Sequence, residues 1–143
     1  MAGYFSKLNG RVYAGEYPAA NDIENGTFAV INSSGKVVPS GTNTNVELSL
    51  VEKLDMWGKP AFRLNVVKED GSVYMVEGDF DVYEYDEYDE TLFTVKKDKL
   101  VKMRVPHISD EIILIVNNTL YNAGTVGDHY TIASSGTIAK VAG

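Results

Sequence analysis

A chain of 143 residues is long enough to form one domain with its own core, because a domain of this size buries roughly 68% of its unfolded surface. Its 20 acidic and 13 basic side chains leave a net charge of −7, and the lack of cysteine excludes disulfides, thiolate metal sites and a cysteine nucleophile. The lack of cysteine also fits synthesis in a reducing cytoplasm, and no apolar run is long enough to predict a signal peptide or a membrane span.

The first 24 residues show neither sustained helical nor sustained strand periodicity, and they contain several glycines and aromatic residues. A segment of this kind either lies across its own domain or becomes ordered on a neighbouring subunit, and the sequence leaves both possibilities open. We therefore predict an extended N-terminal arm over residues 1–24 and a single β-rich domain over residues 25–143. The candidate contact residues of the arm are Tyr4, Phe5, Arg11, Tyr13 and Tyr17.

Two segments with the same pattern bracket the predicted domain, residues 25–38 and residues 126–141. Each reads as a glycine, a short β-prone run, a Ser-Ser-Gly turn and a second β-prone run that contains lysine and valine. A glycine after two small polar residues supplies the positive φ of a tight turn, so each segment predicts a β-hairpin. Shared turn chemistry explains the likeness better than an internal duplication does.

The residues between the two hairpins alternate between apolar and polar side chains, which indicates half-buried antiparallel strands. Residues 46–52 and 62–68 show this alternation, and a turn at residues 55–60 joins them. The dipeptide Asp70-Gly71 then predicts a hairpin that leads into a third strand at residues 73–76.

Further strands are predicted in the last third of the chain. Phe93 and Val95 are expected to face inward with Val101, Met103 and Val105, about a turn at Lys97-Asp98. Residues 112–116 form a continuous apolar run, which predicts a central strand covered on both faces and ended by the polar residues 117–119. The fold class expected from these elements is mainly β, a compact antiparallel β sandwich or small barrel-like domain with the extended arm at its N-terminus.

The negative charge is concentrated in residues 79–90, which hold seven acidic residues and no basic one. Tyr83, Tyr85 and Tyr88 lie among these carboxylates, a mixture that is typical of protein interfaces, and they are further candidate contact residues. The stretch lacks the ligand spacing of an EF-hand loop, so a solvated or partner-facing loop is a better interpretation than a calcium site. It is also the only stretch whose apolar spacing is compatible with a helix.

A basic segment, residues 96–104, follows the acidic stretch directly. Its basic residues alternate with apolar ones, which argues against a nucleic-acid-binding arm. The segment can pair with the acidic stretch of the same chain or of a neighbour, and their closeness in sequence favours pairing within one chain.

The sequence contains no constellation that points to catalysis. His107 and His129 are its only histidines, and the side chains of Asp128 and His129 would point to opposite faces of a strand. Neither a nucleophile elbow nor a phosphate-binding glycine loop is present. We therefore predict a protein that is not an enzyme, that uses no cofactor or metal, and that contacts neither nucleic acid nor a membrane.

The two ends of the predicted β domain resemble a known family. Residues 23–30 and 34–38, together with residues 126–133 and 136–141, look similar to the ends of small head proteins of tailed bacteriophages. Within that group the resemblance is to decoration proteins, which are also called auxiliary capsid proteins. The acidic and aromatic middle of the chain has no counterpart in them.

The resemblance implies a compact β domain without enzymatic activity that stabilises the outside of the expanded head by bridging major capsid subunits. It implies two kinds of partner, the major capsid protein and further copies of the chain, because such proteins often form trimers. It also implies a location on the exterior of the virion after synthesis in the host cytoplasm, with the N-terminal arm contacting the shell. Two alternatives stay open: another phage assembly subunit, such as a tail-tube or head-completion protein, and a non-viral carbohydrate-binding β module.

Overall fold

The computed structural model describes residues 4–7, 12–56, 58–77 and 94–141. These residues form thirteen strands and one α-helix. The strands are β1 (Tyr4–Lys7), β2 (Val12–Pro18), β3 (Ile23–Glu24), β4 (Phe28–Ile31), β5 (Val37–Pro39), β6 (Asn43–Met56), β7 (Lys59–Lys68), β8 (Tyr74–Glu77), β9 (Thr94–Val95), β10 (Leu100–Arg104), β11 (Glu111–Ile115), β12 (His129–Ile132) and β13 (Ile138–Lys140). The helix, α1, spans Asn118–Ala123 between β11 and β12.

Two antiparallel sheets make up most of the fold. The larger sheet has six strands in the order β1-β11-β7-β6-β12-β13, and the second has five in the order β2-β10-β8-β4-β5. Strands β3 and β9 form a separate pair. The prediction of a mainly β fold of the sandwich or barrel-like class is confirmed.

The main core lies between the two large sheets. Phe28 and Met75 of the five-stranded sheet meet apolar side chains of β6, β7, β11 and β12, among them Leu48, Phe62 and Leu114. All five are fully buried. Removing such a side chain from water stabilises the folded state by about 1.5–3 kcal/mol, so this cluster is a large part of the driving force for folding.

A second core covers the opposite face of the five-stranded sheet. Ala29 and Val76, the neighbours of Phe28 and Met75, point into it together with Val101 and Met103. Ile23 of β3 and Val95 of β9 close this second core from outside. The short β3-β9 pair therefore acts as a cover, and the five-stranded sheet is buried on both faces along β4 and β8.

Both predicted hairpins at the ends of the β domain are present. β4 pairs with β5 and β12 pairs with β13, and glycine takes a positive φ in each turn, 75° at Gly35 and 70° at Gly136. The two hairpins also touch each other, because the Gly136 N–H donates to Ser40 O at 2.9 Å and the Ser40 N–H donates to Phe28 O at 2.9 Å. The segments that look alike in sequence therefore form one packed unit.

The alternation predicted for the middle of the chain is confirmed in β6 and β7. Val46, Leu48 and Leu50 of β6 are buried, as are Phe62 and Leu64 of β7. The two strands form a long hairpin, with Met56 paired to Lys59 at its tip. The predicted connection at residues 55–60 is therefore the end of a hairpin that continues into both strands.

The prediction that Asp70-Gly71 joins two paired strands is wrong. The turn is present, but it carries the chain from β7 in the six-stranded sheet to β8 in the five-stranded sheet. The physical reason is that β6 and β11 already occupy both edges of β7, so no edge is left for β8. The turn therefore connects the two layers of the sandwich.

The turn at Lys97-Asp98 also connects strands of two different sheets, as the Asp70-Gly71 turn does. Val95, Val101 and Met103 face inward as predicted, but β9 pairs with β3, whereas β10 lies between β2 and β8. Phe93 lies outside the described residues. Because both edges of β10 are occupied, β9 pairs elsewhere, and the connection is a turn between two sheets.

The prediction of a covered central strand at residues 112–116, ended by residues 117–119, is only partly correct. β11 lies inside the six-stranded sheet between β1 and β7, but Ile113 is half-buried, so its outer face is not fully covered. The polar residues expected only to end the strand instead begin a helix, because Asn117 Oδ1 accepts the Leu120 N–H at 2.7 Å as an N-cap. The expectation of no helix outside the acidic stretch is therefore wrong, and the acidic stretch itself lies outside the described residues.

Replacement of Gly136 by alanine should strongly destabilise the fold. A Cβ at this position would lie 2.2 Å from Phe28 O, and the φ of 70° disfavours any L side chain. We expect a loss of at least about 2 kcal/mol in the free energy of unfolding, measured by urea denaturation. Gly41→Ala is the matched control, since a Cβ there has no atom within 4 Å. Equal midpoints for the two variants would contradict the packing of the two hairpins.

Candidate functional site

The N-terminal segment predicted as an arm is extended and supplies an edge strand to each large sheet. β1 pairs with β11, with Tyr4 opposite Leu114, and forms one edge of the six-stranded sheet. β2 pairs with β10, with Tyr13 opposite Met103, and forms one edge of the five-stranded sheet. The backbone of residues 4–7 and 12–18 is therefore held by the sheets of its own chain.

The predicted contact residues fall into three groups. Tyr4, Phe5 and Tyr13 lie on the two edge strands, and Tyr17 lies at the end of β2, half-buried against the second core. Arg11 of the arm lies outside the described residues, as do the tyrosines of the acidic stretch, Tyr83, Tyr85 and Tyr88. The structure thus places four of these residues along two sheet edges.

The described residues form an open groove at the end of the long hairpin where β6 begins and β7 ends. It has a volume of about 670 Å³ and lies between the start of β6, the end of β7 with the turn after it, and the loop before β11. Val67 and Ile108 supply its apolar surface, while Lys68, Glu69 and Asp70 supply its charges. We call it the hairpin-end groove.

Glu69 fastens one wall of this groove. Its Oε2 lies 2.8 Å from His107 Nδ1, and its Oε1 accepts the Ile108 N–H at 3.3 Å. These hydrogen bonds hold the pKa of Glu69 below its usual range, and the bond with His107 has the largest effect. The carboxylate therefore stays charged at neutral pH and ties the loop before β11 to the end of β7.

Asp70 closes the turn on the other side of the groove. The Ser72 N–H donates to Asp70 Oδ1 at 2.9 Å, the Ser72 hydroxyl donates to the same atom at 2.7 Å, and Asn43 Nδ2 donates to Oδ2 at 3.1 Å. These donors lower the pKa of Asp70 to about 2, and the backbone N–H of Ser72 has the largest effect. This is the aspartate that directs the chain from one sheet to the other.

The second histidine makes a similar pair nearby. His129 Nδ1 lies 2.8 Å from Glu47 Oε2, across the β6–β12 ladder, and Glu47 is the register partner of Lys68. Asp128 instead accepts the Thr125 N–H at 2.8 Å and lies 3.1 Å from Lys140 Nζ, and the Thr125 hydrogen bond is the main cause that lowers its pKa. Asp128 and His129 thus bind different partners, and the described contacts do not assemble them into a catalytic triad.

The other charged residues form cross-strand links. Arg63 of β7 lies between Glu52 of β6, at 2.9 Å, and Glu111 of β11, at 3.8 Å. In the basic segment, Asp22 accepts the Lys97 N–H at 2.9 Å and lies 3.5 Å from Lys96 Nζ. Whether the basic segment also meets the acidic stretch depends on residues outside the described ones.

Two buried polar side chains stand out from the rest of the core. The amide of Asn25 and the hydroxyl of Tyr130 are fully buried, and neither has a hydrogen-bond partner among the described residues. Burial is also the main reason why the pKa of Tyr130 is raised above its usual value. The sequence offered no signal for either, because an Asn-Gly pair and a strand tyrosine are ordinary features of exposed turns and half-buried strands.

Two negative findings apply to the described residues. They contain no group of three histidine or acidic side chains placed to hold a metal ion. Within the same residues, no helix has the length and apolar character that a membrane-spanning helix needs.

Comparison of the chain with protein-family models, with curated proteins and with solved structures finds no match. The class that the fold itself defines is an antiparallel β domain of two large sheets, and the N-terminal segment supplies one edge strand to each of them.

The Asp70 turn should make stability depend on pH on the acidic side. A carboxyl whose pKa is lower in the folded than in the unfolded state stabilises the fold above its unfolded pKa, and this contribution is lost as pH falls through the folded value. With a folded pKa of about 2, the contribution of Asp70 should disappear between about pH 4 and pH 2. Asp70→Asn should melt below the wild type at pH 7, and thermal melts should show this gap narrowing towards pH 2. A gap that stays constant would contradict the assignment.

Replacement of Tyr130 by phenylalanine should not destabilise the protein. Within the described part of the chain the buried hydroxyl has no hydrogen-bond partner, so its removal eliminates a desolvated polar group and leaves the ring contact with Phe62 in place. We expect the free energy of unfolding to stay the same or rise by up to about 1 kcal/mol in urea denaturation. A loss of more than about 1 kcal/mol would mean that the hydroxyl has a bonding partner in solution. Tyr121→Phe, in a half-buried ring stacked on the same Phe62, is the comparison variant.

Proposed function

We propose that this protein is a structural component of a tailed-phage virion, a decoration protein that binds the outside of the head and bridges major capsid subunits. The observation that carries the proposal is that the segments resembling decoration proteins form one unit in three dimensions. Gly136 of the second hairpin binds Ser40 directly after the first, and both lie against Phe28. A resemblance spread over the two ends of the chain therefore corresponds to one continuous piece of the fold.

The position of the N-terminal segment gives the proposal further support. β1 and β2 are edge strands, so each has a row of backbone groups that another chain can pair with. Tyr4, Phe5 and Tyr13 lie on these strands, and aromatic residues contribute much of the energy of protein interfaces. We propose that these edges face the shell or a neighbouring copy of the chain.

Decoration places modest demands on each single contact. When many identical copies bind a repeating shell, weak contacts between neighbours combine into strong overall attachment. A trimer at a local symmetry axis would add a second contact to each copy, and this oligomeric state is part of the proposal. Decoration of this kind requires only a stable domain whose sheet edges can contact the shell.

A carbohydrate-binding module is less well supported. Sugar-binding grooves commonly present aromatic rings as flat platforms, because those rings stack on apolar sugar faces. The hairpin-end groove is instead lined by Val67 and Ile108 with charged neighbours, and the lining of this groove includes no aromatic ring. A tail-tube or head-completion subunit shares the broad class with a decoration protein, and the choice of particle in a binding experiment separates them.

Sedimentation with phage heads tests the proposal. Purified protein mixed with expanded heads that lack it should pellet with the heads and saturate at a fixed ratio of protein to major capsid subunits. Unexpanded heads of the same phage are the matched control and should bind less, because their subunits are arranged differently. Protein that stays in the supernatant at every head concentration would rule out decoration, and association with purified tail tubes would support the alternative.

A truncation locates the contact. Removal of residues 1–7 deletes β1 but leaves β2 in place, so the domain should keep its fold with an exposed β11 edge. If the β1 edge contacts the shell, head binding should weaken at least about tenfold, with circular dichroism confirming that the β signal is retained. Unchanged head binding by the folded truncation would place the contact elsewhere on the domain.

A further inference from the structure

The hairpin-end groove concentrates exposed apolar surface. Among the described residues four large apolar side chains are exposed, Val67 at 36%, Leu100 at 62%, Ile108 at 54% and Val126 at 60%. Single exposed apolar residues are ordinary on protein surfaces, but Val67 and Ile108 line the same groove. Leu100 and Val126 do not line this groove.

The loop that presents Ile108 is firmly held. The Ser109 N–H donates to Val66 O at 2.9 Å, and the His107 N–H donates to Asp110 Oδ2 at 2.8 Å. Ser109 has a φ of 78°, a conformation that costs energy in a residue other than glycine and is kept by its surroundings. The exposed position of Ile108 is therefore set by the fold, so little conformational freedom remains to be lost on binding.

The charges of the groove favour a cationic partner. Glu69 and Asp70 both have lowered pKa values and stay ionised, whereas Lys68 is the one cation among the groove-lining residues. Their carboxylate oxygens accept N–H and O–H groups from the protein but retain further lone pairs for a bound ammonium or guanidinium group. The described residues contain no three-ligand metal site, so the carboxylates fit an organic cation better than a metal ion.

We propose that the hairpin-end groove is a docking site for an extended segment of a partner protein that carries an aliphatic side chain beside a lysine or arginine. The aliphatic side chain packs between Val67 and Ile108, and the cation lies against Glu69 and Asp70. The groove is too open to enclose a small molecule, since small-molecule sites bury most of their ligand. An extended segment, by contrast, needs only one covered side and gains its specificity from the alternation of apolar and charged side chains.

The docking proposal is independent of the decoration proposal, because its probe is a peptide and its readout is local. The peptide Lys-Ile-Lys-Val-Lys, with blocked ends, is titrated into methyl-labelled protein and followed by NMR. We expect saturable shifts of the Val67 and Ile108 methyl signals, with affinity falling as salt rises. The charge-reversed peptide Glu-Ile-Glu-Val-Glu is the matched ligand control and should leave both signals unshifted.

Variants then separate groove binding from nonspecific attraction to an acidic protein. Ile108→Ser should weaken peptide binding about tenfold, and Glu69→Gln about threefold, because each removes one of the two recognition features. Val126→Ser removes an equally exposed apolar side chain outside the groove and should change the affinity by less than about twofold. Val67→Thr, which keeps the side-chain shape, provides a second groove variant should Ile108→Ser melt at a lower temperature.

The outcomes are decisive in both directions. Saturable shifts at Val67 and Ile108 in the wild type, with weaker affinity in each groove variant at whichever of the two methyl signals that variant keeps and unchanged affinity in Val126→Ser, support the docking site. Equal binding of the two peptides, equal weakening by Val126→Ser and Ile108→Ser, or no saturable shift at Val67 and Ile108 would each overturn it. None of these results depends on whether the protein binds phage heads.

Discussion

The rest of the structure depends on the five-stranded sheet being covered on both faces. Phe28 and Met75 point into the main core, while their neighbours Ala29 and Val76 point into the second core. At each of these four positions a polar side chain would be buried without water, so β4 and β8 carry consecutive apolar residues in place of an alternating pattern. The same sandwich forces the loop of the C-terminal hairpin against β4, where only glycine fits at position 136.

Occupied strand edges determine how the chain is connected. β7 is paired on both sides, by β6 and β11, and β10 is paired on both sides, by β2 and β8, so β8, which follows β7, and β9, which precedes β10, must pair elsewhere. This is why the chain passes from one sheet to the other at Asp70 and again near Asp98. β1 and β2 each fill one edge of a large sheet, which attaches the N-terminal segment to both sheets and places Tyr4, Phe5 and Tyr13 on edge strands.

Several of the described charged groups link neighbouring strands and loops. His107 with Glu69, His129 with Glu47 and Arg63 with its two glutamates each link neighbouring strands or loops. Glu69 shows how one such link also shapes a surface, since the carboxylate that fastens the loop before β11 is part of the groove beside Ile108. Structural hydrogen bonds and a candidate docking surface thus share the same residues at this end of the domain.

The sequence by itself determined most of the strands after residue 24, because a period of two and the chemistry of Ser-Ser-Gly turns are local properties, and the inward residues of β6 and β7 followed from that period. It did not predict β1, β2 and β3, because the first 24 residues carry no sustained period. It did not reveal α1, because a helix of six residues is too short to show a period, and Asn117 as an N-cap was the only signal. Only the tertiary structure decided the rest. An Asp-Gly turn has the same local chemistry whether it joins paired strands or crosses between sheets, and the groove joins Glu69 to residues that lie 38 and 39 positions away in the sequence.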